Sequence, residues 1–369
     1  MAGVVVVYFS KFGARLYAHE KATLFDVAAM IARLKGCEMA GSYDDAAYNH
    51  ADKIFFVPDD TLVLDEASSL DIRSADDLFG GVVPHPVVKT KAITHQLVSG
   101  NAYRPEGWSP IFAQRVQGAV LRGYTAFSTH DARIAASRLL TQGAVRVKQA
   151  LRDGGKDQTV IKRIAELDEL LETLSVETIA TFGLVLEENL RRVTTLSVGQ
   201  VTVGGLKIAY HGTQATVANN KGEHVYGGSL LTCVRGGWEA LNRLPMSPTI
   251  RLGLAQARSY DRAANKFPGF LVSRRNYDVG QGLDGEGQWR SGVFEPSWRS
   301  GGASTAELAA LTAFANDPSL QVFEASTVKD FGRARAAPRH ALIHFEGDDP
   351  DDGPILRYTI VMRALRQAA

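Results

Sequence analysis

The sequence predicts an α+β protein in which a small α/β segment leads into a larger antiparallel sheet. Three observations carry this expectation. Strand and helix signals alternate over the first hundred residues, the middle runs helix, hairpin, helix, and beyond it glycine pairs turn long strand-like stretches back on themselves. At 369 residues the chain exceeds the usual size of one core, so two or three subdomains are expected, with parts over 1–108, 109–190 and 191–369.

The first element, VVVVYF, reads as a buried strand; it is too short for a signal-peptide core and no basic residue precedes it. A helix is expected from about Thr23 to Lys35, capped by Thr23 with Asp26 and closed by Gly36, with Leu24, Val27, Ile31 and Leu34 on one side. KIFFVP is the next strand. GGVVPHPVVKTK then runs extended before Lys91, which is expected to open a polar helix.

In the middle part Ser128 and Asp131 cap a helix that turns Ala132, Ala135, Leu139 and Leu140 inward. The strand AVRVK ends at Lys148, RDGGKDQ is a glycine turn, and an amphipathic helix follows with Ile164, Leu167, Leu171 and Leu174. GLVLEENL is an apolar strand ending in two glutamates. TLSVGQVTVGGLKIAYHGTQ is a hairpin turned at Gly204 and Gly205. YHGTQATVANNKGEHVYGGS is polar and glycine-rich, which suits a substrate loop. Ser304 and Glu307 begin a helix whose apolar side carries Leu308, Leu311 and Phe314, and the strands ALIHF and ILRYTIVM flank the acidic turn EGDDPDDGP.

Composition narrows the function. A formal net charge of +1 and 22% charged residues show no basic excess, so nothing favours nucleic acid. Cys37 and Cys233 are the only cysteines, as expected in a reducing compartment, and no apolar stretch approaches membrane-spanning length. A soluble cytoplasmic protein is expected. The nine histidines form no HExxH and no zinc-spaced cluster, and no GxSxG, Walker A or dinucleotide fingerprint appears in its required context.

The most informative stretch is GVFEPSWRSGGAS. If it is extended, Glu295, Ser297 and Arg299 share one face, because side chains alternate along a strand. Asp278 lies upstream, across GQGLDGEGQWRSG, which reads as a hairpin loop; two antiparallel strands would bring Asp278 to Glu295. Two carboxylates suit Mg2+, which fills its other positions with water and phosphate oxygens.

This order of parts resembles the ATP-grasp superfamily, in which two α+β subdomains close on ATP behind a preceding α/β domain. Closer details look like an uncharacterised bacterial family, domain of unknown function family 3182. The resemblance implies that Lys91 and Lys148 reach nucleotide phosphates and that Gly154 and Gly155 form the lid loop. It places Glu187 beside the adenine, Leu186 and Asn189 as backbone contacts, and Val185 as a wall. Asp278 and Glu295 match the metal-binding carboxylates, and Ser297 stands where the pattern has asparagine. The glutamate that holds ribose falls near Thr194 or Thr195, so either Glu188 takes its role or ribose is held less tightly. Of Arg274 and Arg275, alternation lets one face the site; Arg275 is favoured for an acyl phosphate, with Arg299 on the carboxylate and departing phosphate. His211, Gln214, Tyr226 and Ser229 are candidate substrate contacts. The implied activity is an ATP- and Mg2+-dependent ligase joining a small-molecule carboxylate to a nucleophile, with a small-molecule kinase or a non-catalytic ATP-binding protein as alternatives. A homodimer through the first domain follows from the same analogy.

Overall fold

The structure is a computed structural model that describes residues 3–11, 13, 16–44, 47, 53–150, 158–332 and 336–366. Strand β1 (Val4–Tyr8) is an unbroken β-branched run because both its faces are covered. Helix α1 (Ala18–Lys35) packs on one side of it, and strands β2 (Glu38–Ser42) and β3 (Ile54–Pro58) flank it in a parallel sheet of order β2-β1-β3. The helix begins five residues before the expected Thr23. Tyr17 is its N-cap residue, the Glu20 carboxylate accepts from the Tyr17 N–H at 3.1 Å, and Thr23 donates its hydroxyl back to the His19 carbonyl at 2.8 Å. Gly36 closes it at φ 64°, as expected.

Strand β4 (Leu62–Val63), helix α2 (Leu64–Ser69) and strand β5 (Gly81–Val83) continue the chain. The expected polar helix at Lys91 is instead one buried 3-10 turn, Lys91–Ile93, capped by the Thr90 hydroxyl. Helix α3 (Pro110–Val116) leads to the next sheet, built from β6 (Gly123–Ala126), β7 (Val145–Gln149), β8 (Gln158–Ile161) and β9 (Leu184–Glu188) in the antiparallel order β6-β9-β7-β8. Helices α4 (Thr129–Leu140), α5 (Ile164–Glu172) and α6 (Val176–Phe182) accompany it, and Ala132, Ala135, Leu167 and Leu186 form the core between. Gly154 and Gly155 lie outside the described residues.

The remaining strands are β10 (Arg191–Val203), β11 (Leu206–Ala218), β12 (His224–Arg235), β13 (Leu271–Val272), β14 (Arg274–Leu283), β15 (Trp289–Ser297), β16 (Leu320–Phe331), β17 (Leu342–Asp349) and β18 (Gly353–Arg366). All but β13, which pairs with β5, form an eight-stranded antiparallel sheet of order β15-β14-β10-β11-β12-β16-β18-β17. Gly204 and Gly205, at φ 58° and 81°, make the expected turn between β10 and β11. The polar stretch from His211 to Ser229 is not a loop: it supplies most of a hairpin whose turn spans only 219–223. Cross-strand pairing satisfies the backbone of these polar residues, so no hydrophobic run is needed.

Helices α7 (Trp238–Asn242), α8 (Pro248–Ala264) and α9 (Ser304–Asn316) complete the fold. Helix α8 covers one face of the sheet through Leu254, Ala257 and Tyr260, which meet Leu196, Val198, Tyr277 and Val279. Helices α9 and α1 cover part of the other face, over Tyr210, Leu231, Cys233 and Ala325. The second face, where α9 begins, carries the polar groups described next.

Candidate functional site

Strands β14 and β15 place Asp278 directly opposite Glu295 and Asn276 opposite Ser297, so these four side chains share a face. The two carboxylates converge as the sequence requires. A bulge adds Phe294 between Glu295 and Val293, and its ring lies over Gly280, where any Cβ would collide with it. Glu295 reaches the buried Lys91 ammonium at 2.6 Å. Burial and the charge of Glu295 push Asp278 up to about 6, while hydrogen bonds from Gln214 and Asn276 pull the other way.

The smaller sheet supplies a second cluster. Arg146 and Lys148 alternate on β7 and face the same way as Glu187, the register partner of Arg146. Lys148 pairs with Glu187 at 2.5 Å, and His95 approaches the other carboxylate oxygen at 3.3 Å. All three are buried. Burial alone would raise the Glu187 carboxyl, but Lys148 and His95 outweigh it and hold it below its usual range. The Lys148 ammonium stands 4.2 Å from the centre of the Phe294 ring, and its charge acts on Lys91 and Glu295. Lysines and carboxylates from the 3-10 turn, β7, β9, β14 and β15 thus form one alternating cluster.

Other candidates lie elsewhere. Leu186 sits between Tyr124 and Val147 in the middle of the sheet, with its side chain in the core behind, and Val185 is buried on the opposite side. Glu188, one of the two alternatives for ribose, pairs with the Arg122 guanidinium at 2.7 Å. Asn189 donates its N–H to the Ala144 carbonyl and accepts from Arg146 at 2.8 Å; Glu188 and Asn189 line a surface recess with Arg122 and Gly285. Thr195 lies opposite Gly280, one step along the strand from Thr194, opposite Gln281.

Two candidates must be corrected outright. Arg275 pairs with Asp261 of α8 at 2.9 Å, on the face opposite Asp278, because it is an odd number of residues away on the same strand. His211 is turned to that same far face by the pleat of β11, opposite Val198 and Thr232. The arginine on the Asp278 side is Arg274. It is buried, binds Glu307 through two nitrogens at 3.0 and 2.7 Å, and donates to Ser297 Oγ at 3.1 Å and the Arg299 carbonyl at 2.6 Å. Tyr210 donates toward Glu307 and Asn276, and Asn276 donates to Asp278 at 2.7 Å. Arg299 approaches Asp60 at 4.0 Å.

Gln214 donates to Ser197 and to Asp278, which places it in the cluster. Tyr226 shares hydrogen bonds with Ser229 at 2.7 Å and Thr327 at 3.3 Å, beside it. Arg146 had a readable signal, since VRVKQ puts two cations at alternate positions. Arg274 had the same parity signal relative to Asp278. His95, Tyr210 and Phe294 had none, because only folding brings them to the carboxylates.

The residues fit one divalent cation. Asp278 and Glu295 are adjacent carboxylates whose mutual repulsion a cation relieves. Ser297 fits less well as a ligand, since a guanidinium already donates to its hydroxyl. Among the described residues no group of three or more acidic, histidine or cysteine side chains gathers as a metal cluster.

The architecture is that of the ATP-grasp fold. Similar solved structures include N5-carboxyaminoimidazole ribonucleotide synthetase in complex with ADP (TM-score 0.52, 10% identity, 98% of this chain and 93% of the other) and the biotin carboxylase β,γ-ATP complex of Campylobacter jejuni (0.52, 10%, 98% and 88%). The N5-carboxyaminoimidazole synthase of Aspergillus clavatus, with ADP and 5-aminoimidazole ribonucleotide, gives 0.51 at 10% identity over 98% and 94%. The chain belongs to the protein family of unknown function DUF3182, whose model matches residues 7–359. Comparison with curated proteins gives no match. Among the described residues no helix is long and apolar enough to cross a membrane.

Proposed function

We propose that this chain is an ATP-dependent ligase that activates a small-molecule carboxylate and joins it to an amine or similar nucleophile. The observation that carries the reading is the convergence of Asp278 and Glu295 on one face, met by Lys91 and Lys148 from two other elements. The fold's likeness to proteins crystallised with ADP and with β,γ-ATP supports nucleotide use. In the reaction the substrate carboxylate takes the γ-phosphoryl group, ADP leaves, and the nucleophile displaces phosphate from the acyl phosphate. Such chemistry asks for positioning and charge neutralisation rather than a protein nucleophile.

Lys91 and Lys148 neutralise phosphate oxygens, exchanging their present carboxylate partners for the nucleotide. Phe294 offers an apolar face beside Lys148. Arg274 and Glu307 hold the Ser297–Arg299 segment so that Arg299 is aimed from a fixed backbone. Asp278 and Glu295 are the residues that would hold Mg2+, which when bound offsets charge on the transferred phosphoryl group. A non-catalytic ATP-binding role is the second reading, favoured by the engagement of Ser297 by Arg274.

Purified protein given ATP, Mg2+ and a panel of carboxylates and amines is expected to release ADP. AMP and pyrophosphate as products would overturn the mechanism. Glu295→Gln is expected to lower turnover by about a hundredfold or more. Tight ATP binding without turnover on any substrate would favour the second reading.

A further inference from the structure

The polar face that carries Asp278 extends across the sheet to β18. Ser197 lies opposite Asp278, Gln214 opposite Ser229, Ser229 opposite Thr327, and Thr327 opposite Thr359. Gln214 bridges to Ser197 at 3.0 Å, and Tyr226 joins Ser229 to Thr327. At the far end of this row, α1 and the start of α9 leave a shallow recess open to solvent, lined by Thr23, Tyr226, Thr305, Thr327, Lys329 and Arg357. Gly302 is required there, since a Cβ would strike the Tyr226 ring.

Arg357 is the unusual group. A guanidinium has five N–H donors, yet among the described residues this one makes a single hydrogen bond, 3.4 Å to the His19 carbonyl, and no ion pair within 4.0 Å. Every nearby carboxylate has other partners. Asp352 lies 3.6 Å from Lys329, Asp349 binds His19 at 2.8 Å, Asp26 binds His344 at 3.1 Å, and Glu20 accepts from the Tyr17 N–H. Lys329 stands directly opposite Arg357 in the ladder. Thr305, Thr327 and Tyr226 line the same recess as the guanidinium. An oxyanion fits this set, because its oxygens match the guanidinium fork in pairs.

We propose that the recess beside Arg357 is an oxyanion site that takes a phosphate or a carboxylate group. Thr327 on β16 stands four strand-to-strand steps from Asp278 on β14, roughly 19 Å at about 4.8 Å each, so this site is separate from the carboxylate pair. Tyr226 lines the recess and joins it to Ser229 of the polar row through its hydroxyl at 2.7 Å.

The test is calorimetric titration of the full chain, with excess ADP present, using inorganic phosphate in one arm and malonate in the other. Saturable binding of either ion, weakened about tenfold or more by Arg357→Gln with ATP affinity unchanged, is the expected result, and the arm that responds names the group. Thr327→Val, which keeps the shape of its residue, is expected to weaken the same ion by roughly threefold, and it decides the matter if Arg357→Gln does not fold. No saturable binding of either ion, or binding untouched by the variants, overturns the proposal. If the wild type binds no ATP yet still shows the Arg357-dependent ion, the ligase reading fails and the anion site stands.

Discussion

Asp59 shows how a single residue records its surroundings. It sits just beyond the carboxyl end of β3, nearly buried, accepts from the Ser10 N–H at 2.8 Å, and has Asp60 as its neighbour. Burial first, and then the charge of Asp60, push its carboxyl up to about 6 against the pull of the Ser10 hydrogen bond and Lys89. The folded protein therefore binds this proton more tightly than the unfolded chain. Its contribution to stability is most favourable below the unfolded value and declines as pH rises toward and through 6. Asp59→Asn is expected to flatten the pH dependence of stability between about pH 4 and 7, with a relative gain on the order of 1 kcal/mol at the upper end. Urea unfolding at pH 4.5 and 7.5 measures this, and an unchanged slope would contradict it.

At the scale of elements, the hairpin of β14 and β15 joins the two ends of the site. Its bulge shifts the register by one residue, which keeps Asp278 and Glu295 paired while turning Phe294 onto Gly280 and toward Lys148. Glycine at 280 is a packing requirement, because the ring occupies the Cβ position. Gly280→Ala is expected to cost about 1–3 kcal/mol by overpacking and to be relieved by adding Phe294→Leu. Denaturant midpoints of the single and double variants check it; a double variant no more stable than Gly280→Ala would show that the ring is not the obstruction.

Much of these elements was legible in order. Gly204–Gly205 as a turn, Ser128 as a cap and Gly36 as a stop each follow from local chemistry, and each is found, whereas the extended stretch expected through Arg299 ends at Ser297, where pairing with β14 stops. The loop expected over His211–Ser229 became strands because a polar segment between two pairing partners needs no hydrophobic period. Arg275 and His211 went astray for one reason: a one-residue difference on a strand exchanges the faces, and only the core residues around α8 show which face is which.

Across the whole molecule, the first segment is fastened to the last strands. The Asp349 carboxylate at the end of β17 accepts from the His19 N–H at 3.0 Å and from the His19 ring at 2.8 Å, 330 residues away, and also from the N–H groups of Asp351 and Asp352. Burial opposes ionisation there, but these hydrogen bonds outweigh it and hold the carboxyl well below its usual range. Burial also keeps the His19 ring below its ordinary value. A depressed carboxyl lends stability above its unfolded value, near 4, and loses it as pH falls toward the folded one. Asp349→Asn is expected to cost about 2 kcal/mol at pH 7 and less at pH 3. Thermal unfolding at both values tests this, and an equal cost would contradict it.

The sequence by itself determined the succession of parts, the strand that carries Glu295 with Ser297, and the partner strand that carries Asp278, because periodicity, turn residues and caps act over a few residues. Tertiary structure decided which arginine joins the carboxylates, that Glu188 is bound by Arg122, and that Arg357 opens onto a recess beside Tyr226. Those outcomes depend on which face of a strand is buried and on contacts between residues far apart in the chain, and neither is encoded in local spacing.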